Sequence, residues 1–128
     1  MIESLLNGVN YQASKAILDV TAQRHRIMAG NLANVHTPGY QRIDVAESFK
    51  SELQSAIKNQ DAAGLRQLGT FESEIVPGLA AESPDGNNVN LERELMYINQ
   101  NAMEYEANTQ FVSGSIARLK MAITGRTS

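Results

Sequence analysis

The clearest hydrophobic pattern lies near the C-terminus, where apolar residues recur at alternating spacings of four and three. We call these positions the heptad row: Leu91, Leu95, Ile98, Ala102, Tyr105, Thr109, Val112, Ile116, Leu119 and Ile123. Only Thr109 is polar, and an unbroken heptad repeat of this length predicts one long helix with a coiled-coil seam. Asn90 is a suitable N-cap and Gly125 a suitable terminator, so the helix is predicted to span residues 90–124.

A weaker row with the same spacing marks the other end of the chain. It consists of Leu6, Val9, Ala13, Ala16, Val20, Gln23, Ile27 and Gly30. This row predicts an N-terminal helix within residues 1–34. The helix is predicted to end before Thr37-Pro38-Gly39-Tyr40, because a proline disfavours the α region for the residue before it. Pro38 and Gly39 fit the central positions of a type II turn, with Gly39 at positive φ.

The middle of the chain has weaker patterns. Within residues 35–58 we predict a turn, a short strand at Ile43–Val45 and a short helix over residues 46–58. That helix would carry Phe49, Leu53 and Ile57 on one face. Residues 59–89 show no sustained period and are interrupted by Gly and Pro, so we predict a loop there.

These elements predict a single all-α domain spanning residues 1–128, with the terminal helices paired as an antiparallel coiled coil and joined by a partly irregular middle segment. The antiparallel arrangement is favoured because it brings Arg24 and Arg26 near Glu104. Further apolar residues lie off both rows, among them Ile17, Met28, Met96, Met103 and Phe111. Either the middle segment folds over them or neighbouring copies cover them, and the small bulk of that segment favours the second interpretation.

Composition narrows the possible functions. The 128-residue chain carries a net charge of −3 with scattered Lys and Arg, so nucleic-acid binding is not expected. Cysteine is absent, which excludes disulfides and thiol catalysis. His25 and His36 are the only histidines and lack the partners of a zinc site. We therefore expect no metal, no cofactor, no small-molecule substrate and no enzymatic activity.

Membrane insertion and signal-dependent secretion are not indicated either. No apolar run approaches the roughly 20 residues that a membrane-spanning helix needs. The N-terminus, Met1 to Leu6, lacks the positive flank and long apolar stretch of a secretory signal. If the protein leaves the cytoplasm, we expect a route without a cleavable signal.

Two stretches of sequence resemble a known family. Arg26–Tyr40, with its Asn-Leu-Ala-Asn and Thr-Pro-Gly-Tyr runs, resembles the N-terminal signature of flagellar rod and hook proteins. Asp85–Glu94, followed by Asn101–Tyr105, resembles the C-terminal signature of the proximal rod, or FlgB, family. The motif positions that we single out are Asn31, Asn34, Thr37, Pro38, Gly39, Tyr40, Asp85, Gly86 and Asn87.

The resemblance implies a structural subunit of the flagellar basal-body proximal rod. Such proteins are exported without a cleavable signal by the flagellar type III apparatus and polymerise in the periplasm through their terminal helices. The hollow rod transmits torque and conducts export substrates. Implied partners are other copies, other rod and basal-body proteins, and membrane-ring and export-gate components at the rod base.

The residue types leave two questions open. Asn31 and Asn34 are suited to hydrogen-bond helix-end carbonyls or a neighbouring backbone, or they are ordinary helix-stop residues. Tyr40 is suited to bury its ring while its hydroxyl stays paired. The alternative function is a cytoplasmic helical-hairpin adaptor or export chaperone, which would also carry long amphipathic helices.

Overall fold

A computed structural model describes residues 8–46, 48–68 and 84–125, together with the backbone of residues 73–75. The elements in chain order are α1 (Val9–Ala33), β1 (Ile43–Val45), α2 (Ser48–Lys58), α3 (Ala62–Gln67), β2 (Ser73–Ile75) and α4 (Leu91–Thr124). The two long helices run antiparallel, since Asn31 near the end of α1 contacts Glu94 near the start of α4. The predicted all-α fold with paired terminal helices is confirmed.

The ends of α4 follow the predicted capping residues. The Asn90 side chain accepts a hydrogen bond from the Arg93 backbone N–H at 2.9 Å. At the other end Gly125 adopts φ 65°, and its N–H donates to the Met121 carbonyl oxygen at 2.8 Å. Both caps pair backbone groups that a helix leaves unsatisfied at its termini. Leu6, in the N-terminal row, and the other residues before Gly8 lie outside the described residues.

The helix α4 turns a different side toward the rest of the chain than its apolar pattern predicts. Three of the ten positions of the heptad row, Ile98, Val112 and Leu119, are partly buried. Four other positions of the row stay between 44 % and 50 % exposed: Leu95, Tyr105, Leu91 and Ile116. In their place the more buried side of α4 carries polar residues seven positions apart: Glu94, Asn101, Asn108 and Ser115.

This rotation of the seam has a physical cause. Asn101 donates from Nδ2 to the Thr21 carbonyl oxygen of α1 at 2.7 Å. Glu94 accepts from Asn31 of α1 at 2.9 Å. Polar groups that pair across a helix interface are stable there, whereas periodicity counts only apolar residues. Leu91, Leu95, Tyr105 and Ile116 are therefore less buried than the predicted seam requires.

The core lies around the middle of α1, which is covered on one side by α4 and on another by β1, α2 and α3. Met28, which lies off the N-terminal row, is completely buried. Other buried apolar side chains come from the middle of the chain: Phe49, Leu65 and Val89. The middle segment thus covers part of α1, while Met103 and Phe111 of α4 stay exposed. Cover by the middle segment therefore accounts for part of α1, and it does not extend to Met103 and Phe111 of α4.

The short strand Ile43–Val45 forms as predicted, and the helix predicted over residues 46–58 spans Ser48–Lys58. The loop predicted for residues 59–89 contains α3 and β2 instead. A Schellman motif closes α2, with Gln60 at φ 53° and the Asp61 N–H donating to the Ala56 carbonyl oxygen. Residues 69–72 and 76–83 of the predicted loop lie outside the described residues.

These two elements lack a strong local signal. The helix α3 is six residues long, and Leu65 is its buried apolar residue. The strand β2 pairs antiparallel with β1, Ile43 opposite Ile75 and Val45 opposite Ser73. The strand β2 has the sequence Ser-Glu-Ile with a single apolar residue, so periodicity does not detect it, and its pairing with β1 stabilises it.

Candidate functional site

The two signature motifs, at opposite ends of the chain, meet as a pair of contacting turns. The Tyr40 N–H donates to the Thr37 carbonyl oxygen at 3.2 Å, and Gly39 between them has φ 71°. The predicted turn with Gly39 at positive φ is confirmed. The Gly39 N–H in turn donates to the Asp85 carbonyl oxygen at 2.9 Å. Gly86, at φ 86°, lies against Gly39, with 3.8 Å between the Gly39 Cα and the place where a Gly86 Cβ would stand.

Asn87 ties the second motif to the end of α1. Its Nδ2 donates to the carbonyl oxygens of Asn34 and Thr37, both at 2.8 Å. Its Oδ1 accepts from the Val89 N–H at 2.8 Å, and the residue is 1 % exposed. One amide side chain therefore pairs three backbone groups of two distant segments.

Asn31 and Asn34 have different local roles. Asn34 donates from Nδ2 to the Gly30 carbonyl oxygen at 2.8 Å and accepts from the Thr37 hydroxyl at 3.0 Å, so it caps the end of α1. Asn31 is completely buried. Its Nδ2 donates to the Ile43 carbonyl oxygen at 2.7 Å and to Glu94 at 2.9 Å, and its Oδ1 accepts from the Ile43 N–H at 3.1 Å. The predicted pairing with helix-end or neighbouring backbone groups is present at both asparagines.

Tyr40 completes this arrangement. Its hydroxyl donates to Asn31 Oδ1 at 3.0 Å, as its predicted role requires.

An ion network adjoins these hydrogen bonds through Glu94, which Asn31 also contacts. Arg42 donates from Nε to Glu94 Oε2 at 2.7 Å and from Nη2 to Asp44 Oδ2 at 2.9 Å, and Arg24 donates to both Asp44 oxygens at 2.9 and 3.1 Å. We call the nine motif residues together with Arg24, Arg42, Asp44 and Glu94 the signature clasp.

Comparison of the sequence with known proteins identifies the family of this chain. No family model matches the chain. The flagellar basal body rod protein FlgB of Aquifex aeolicus is 35 % identical over 125 residues, which cover 95 % of this chain and 97 % of that protein. The chain belongs to the FlgB family. FlgB of Escherichia coli is 29 % identical over 131 residues, covering 91 % and 92 %, and FlgB of Salmonella typhimurium is 27 % identical over 140 residues, covering 98 % and 99 %.

Membership in the FlgB family makes this chain a structural subunit of the flagellar basal-body proximal rod. The alternative of a cytoplasmic adaptor or export chaperone is not favoured. The matches run along nearly the whole chain, so the likeness to FlgB is not confined to the two motifs.

The ionisation of Asp44 shows how the clasp is held in this FlgB-family chain. Burial favours the neutral carboxyl, but the hydrogen bond and charge of Arg24, the Val45 N–H and the charge of Arg42 outweigh it and lower the Asp44 pKa. Burial opposes the charge of Arg42 as well, yet Glu94 and Asp44 raise its pKa. Both ions therefore stay charged inside the folded chain.

The pKa of Tyr40 is shifted in the opposite direction to the pKa of Asp44. Burial, followed by the negative charge of Glu94, raises the Tyr40 pKa above its ordinary value. The phenol thus stays protonated and remains a donor to Asn31. The clasp keeps each of these groups in the protonation state that its hydrogen bonds require.

Sequence reasoning missed the ionic part of the clasp. It paired Arg24 and Arg26 with Glu104, but the ion pair of Arg24 is with Asp44, and Glu104 is a weaker electrostatic neighbour. Two signals were available for the residues that it missed. Arg42 directly precedes the predicted strand and lies two positions before Asp44, so the two side chains share one face if the backbone is extended there. Glu94 lies seven positions before Asn101, in register with the polar side of α4.

The clasp is built for structural pairing. Within the described part of the chain no group of three or more potential metal ligands occurs. Across those same residues, no helix has the length and apolar character that crossing a membrane requires. His25 and His36 both lie exposed, outside the clasp. The contacts of the clasp hold the end of α1 and the start of α4 together at one point.

Proposed function

We propose that this chain polymerises through its terminal helices into a hollow rod that transmits torque and conducts export substrates. The observation that carries the proposal is the exposure of most of the heptad row on α4. Ile116 is 50 % exposed and Ile123 is 59 % exposed, although both belong to an unbroken apolar repeat. An apolar repeat that its own chain leaves half exposed is suited to pack against a neighbouring subunit.

The length of this surface supports a bundled assembly. The 34 residues of α4 extend about 50 Å at 1.5 Å per residue. Apolar side chains stay exposed along it from Leu91 to Ile123. Burying apolar area stabilises association by roughly 25 cal/mol per Å², so a contact of this length offers a large driving force. A bundle of parallel subunits would cover such a row on every copy.

The signature clasp has a place in this proposal. A rod that carries torque needs subunits whose helices keep a fixed angle and register under load. The clasp pins the start of α4 to the end of α1 through buried hydrogen bonds and ion pairs. The motif residues would therefore act in assembly indirectly, by presenting the two helices in one orientation.

The remaining parts of the proposal concern partners and location. We propose that the chain contacts other copies of itself and other flagellar basal-body proteins, with membrane-ring and export-gate components at the rod base. It would function in the periplasm after export without a cleavable signal. It would catalyse no reaction and bind no cofactor, because its role is mechanical.

A deletion and complementation experiment tests the proposal. The gene is deleted in its host, and cells that carry plasmid copies are imaged by electron microscopy. The wild-type copy should restore rod, hook and filament. Ile116→Asp should fail, because a carboxylate on the apolar row would be buried unpaired between subunits. Ala107→Asp is the matched control, since Ala107 is exposed on the same helix but lies outside the heptad row.

The controls separate assembly from folding. Ile116 is half exposed, so the purified Ile116→Asp subunit should keep its helical circular dichroism and its urea midpoint. Normal flagella in the deletion strain would refute the rod function. Normal flagella with Ile116→Asp would show instead that the exposed row is not the assembly surface.

A further inference from the structure

A cleft opens between α1 and α4 beside the middle of α1. Its volume is about 360 Å³, and its largely apolar lining includes Ala22 of α1 and Ala102 and Tyr105 of α4. Ala102 and Tyr105 are exposed and belong to the heptad row, and His25 and Arg26 at the cleft are exposed as well. A side chain from outside the chain can therefore enter the cleft, and a neighbour that packs along the row passes over its opening.

The residues that line the cleft indicate what kind of side chain fits there. One alanine on each helix, Ala22 and Ala102, contributes to the walls and leaves space between α1 and α4. Well-packed interfaces place a large side chain opposite small ones, so that the two surfaces interdigitate. A large apolar side chain of a neighbouring subunit therefore suits this cleft.

Met103 is such a side chain, and the chain's own cleft does not hold it. It is the most exposed of the large apolar side chains in the described part of the chain, at 68 %. Successive residues of a helix are turned by about 100°, so Met103 lies on a different side of α4 from Ala102. Both residues lie at the same level along the helix, so a neighbour with little axial shift presents its Met103 at the cleft. The flexible thioether chain of methionine adapts well to irregular space.

We propose that Met103 of one copy of this chain inserts into the cleft of the next copy when the subunits assemble. This inference rests on the proposed function, since it names one contact within the rod. Because Met103 and the cleft lie on different sides of α4, each copy donates a methionine on one side and receives one on another. Such a heterologous contact repeats from subunit to subunit and builds rings or open helical polymers instead of closed pairs.

Charge supports a second copy as the occupant. Arg26 lies at the cleft and forms no ion pair within the described residues. Glu106 is exposed and lies one helical turn after Met103, on the same side of α4. The entering Met103 thus brings a carboxylate toward the Arg26 guanidinium. Residues 94–117 of α4 include no Lys or Arg, so no like charge opposes this approach. Complementary charges of this kind set partner choice and register more than affinity.

Cysteine cross-linking in assembled basal bodies tests the contact. The chain has no cysteine of its own, so the introduced residues give an unambiguous product. The deletion strain carries two plasmid copies of the full chain, one with Ala102→Cys and one with Met103→Cys, and the isolated basal bodies are oxidised with copper phenanthroline. We expect a disulfide between position 102 of one copy and position 103 of another, identified by mass spectrometry. Rods that give no such product, or only products joining identical positions, would overturn the proposal.

Met96→Cys is the matched control for the register of this contact. Met96 is also an exposed methionine, and it lies seven positions, or about 10 Å, before Met103 on the same side of α4. Combined with Ala102→Cys, it should give no detectable disulfide. A product as abundant as that of Met103→Cys would also overturn the proposal, because a different side chain would then occupy the cleft.

Substitution of Met103 gives a second and independent test. Met103→Lys would place an ammonium group beside Arg26 of the next copy and should abolish rods, whereas Met103→Leu keeps an apolar side chain and should build them. Because Met103 is largely exposed, both purified variants should keep their helical circular dichroism and urea midpoint. Normal rods with Met103→Lys would overturn the cleft contact and leave the rod function intact, because the deletion strain would still need the gene to build a rod.

Discussion

The Asn31 side chain donates a hydrogen bond to the Glu94 carboxylate at 2.9 Å, across 63 positions of sequence. Both residues are buried: Asn31 has no exposed surface, and Glu94 is 1 % exposed. This contact joins the last turns of α1 to the first turn of α4, and the same Asn31 side chain also holds Ile43 and Tyr40. A single amide thus connects four segments of the chain, which makes the orientation of the helix pair depend on it.

Replacing Asn31 by Ala should therefore destabilise the subunit strongly. The change leaves a buried carboxylate oxygen, a backbone carbonyl, a backbone N–H and a phenol without this partner. Leaving such groups unpaired costs about 1–3 kcal/mol each before relaxation, so we expect a loss of about 3 kcal/mol in the free energy of unfolding. Urea denaturation followed by circular dichroism measures it.

The control for this change is Gln23→Ala on the same helix. Gln23 is exposed, and a surface substitution of this kind should alter the free energy of unfolding by no more than about 0.5 kcal/mol. If Asn31→Ala proved no more destabilising than Gln23→Ala, Asn31 would be an ordinary helix-stop residue.

The parts of this fold that depend on local chemistry were predictable from sequence. The Asn90 cap, the Gly125 terminator and the turn at Gly39 each follow from one residue type and its preferred backbone geometry. The long helices follow from the repeat of apolar residues. Asn31, Asn34 and Asn87 were identified through a family resemblance, and the structure brings all three together.

What sequence did not reveal depends on contacts between distant segments. Periodicity predicted that Leu95 and Ile116 would face α1, but Glu94 and Asn101 face it because α1 supplies polar partners. Met28 lies off the N-terminal row, yet it is completely buried. The spacing of apolar residues along one helix does not contain this information, because the side that becomes buried is decided by groups on another element.

The Asp44 carboxylate makes the stability of the subunit depend on pH in the acid range. Its pKa in the folded chain is lowered below the ordinary value of 3.8. A lowered folded pKa contributes stability that is present above the unfolded pKa and is lost as pH falls through the folded one. We therefore expect the advantage of the wild type over Asp44→Asn, roughly 3 kcal/mol at pH 7, to shrink below about pH 4.

Urea midpoints measured between pH 7 and pH 2 test this dependence. The wild-type and Asp44→Asn curves should converge as the pH falls. Asp19→Asn, which removes an exposed aspartate of α1 outside the clasp, is the matched control for the loss of one carboxylate. Parallel curves for wild type and Asp44→Asn would mean that Arg24 and Arg42 do not stabilise the ionised carboxylate.

Two glycines allow backbone conformation to be tested without a steric difference. A Cβ added at Gly30 or at Gly39 would have no neighbouring atom within 4 Å. Gly39 adopts φ 71°, so Gly39→Ala should lower the free energy of unfolding by about 1 kcal/mol. Gly30 lies within α1, so Gly30→Ala should raise it by up to about 1 kcal/mol. Thermal unfolding of both variants gives the sign directly, and equal signs would contradict the assigned turn.

Replacing Asn101 by Leu should stabilise the isolated subunit. Leucine removes a buried oxygen that lacks a donor within the described chain and puts an apolar side chain beside a cleft with room for it. We expect the purified subunit to gain roughly 1 kcal/mol in the free energy of unfolding, because polar seam residues of coiled coils usually cost stability. Asn108→Leu, seven positions later, is the control: among the described residues the Asn108 amide donates to the Glu104 carbonyl oxygen of its own helix, so this variant should change the free energy of unfolding by no more than about 0.5 kcal/mol. A loss of stability in Asn101→Leu would show that the hydrogen bond to the Thr21 carbonyl oxygen outweighs the cost of the unpaired oxygen.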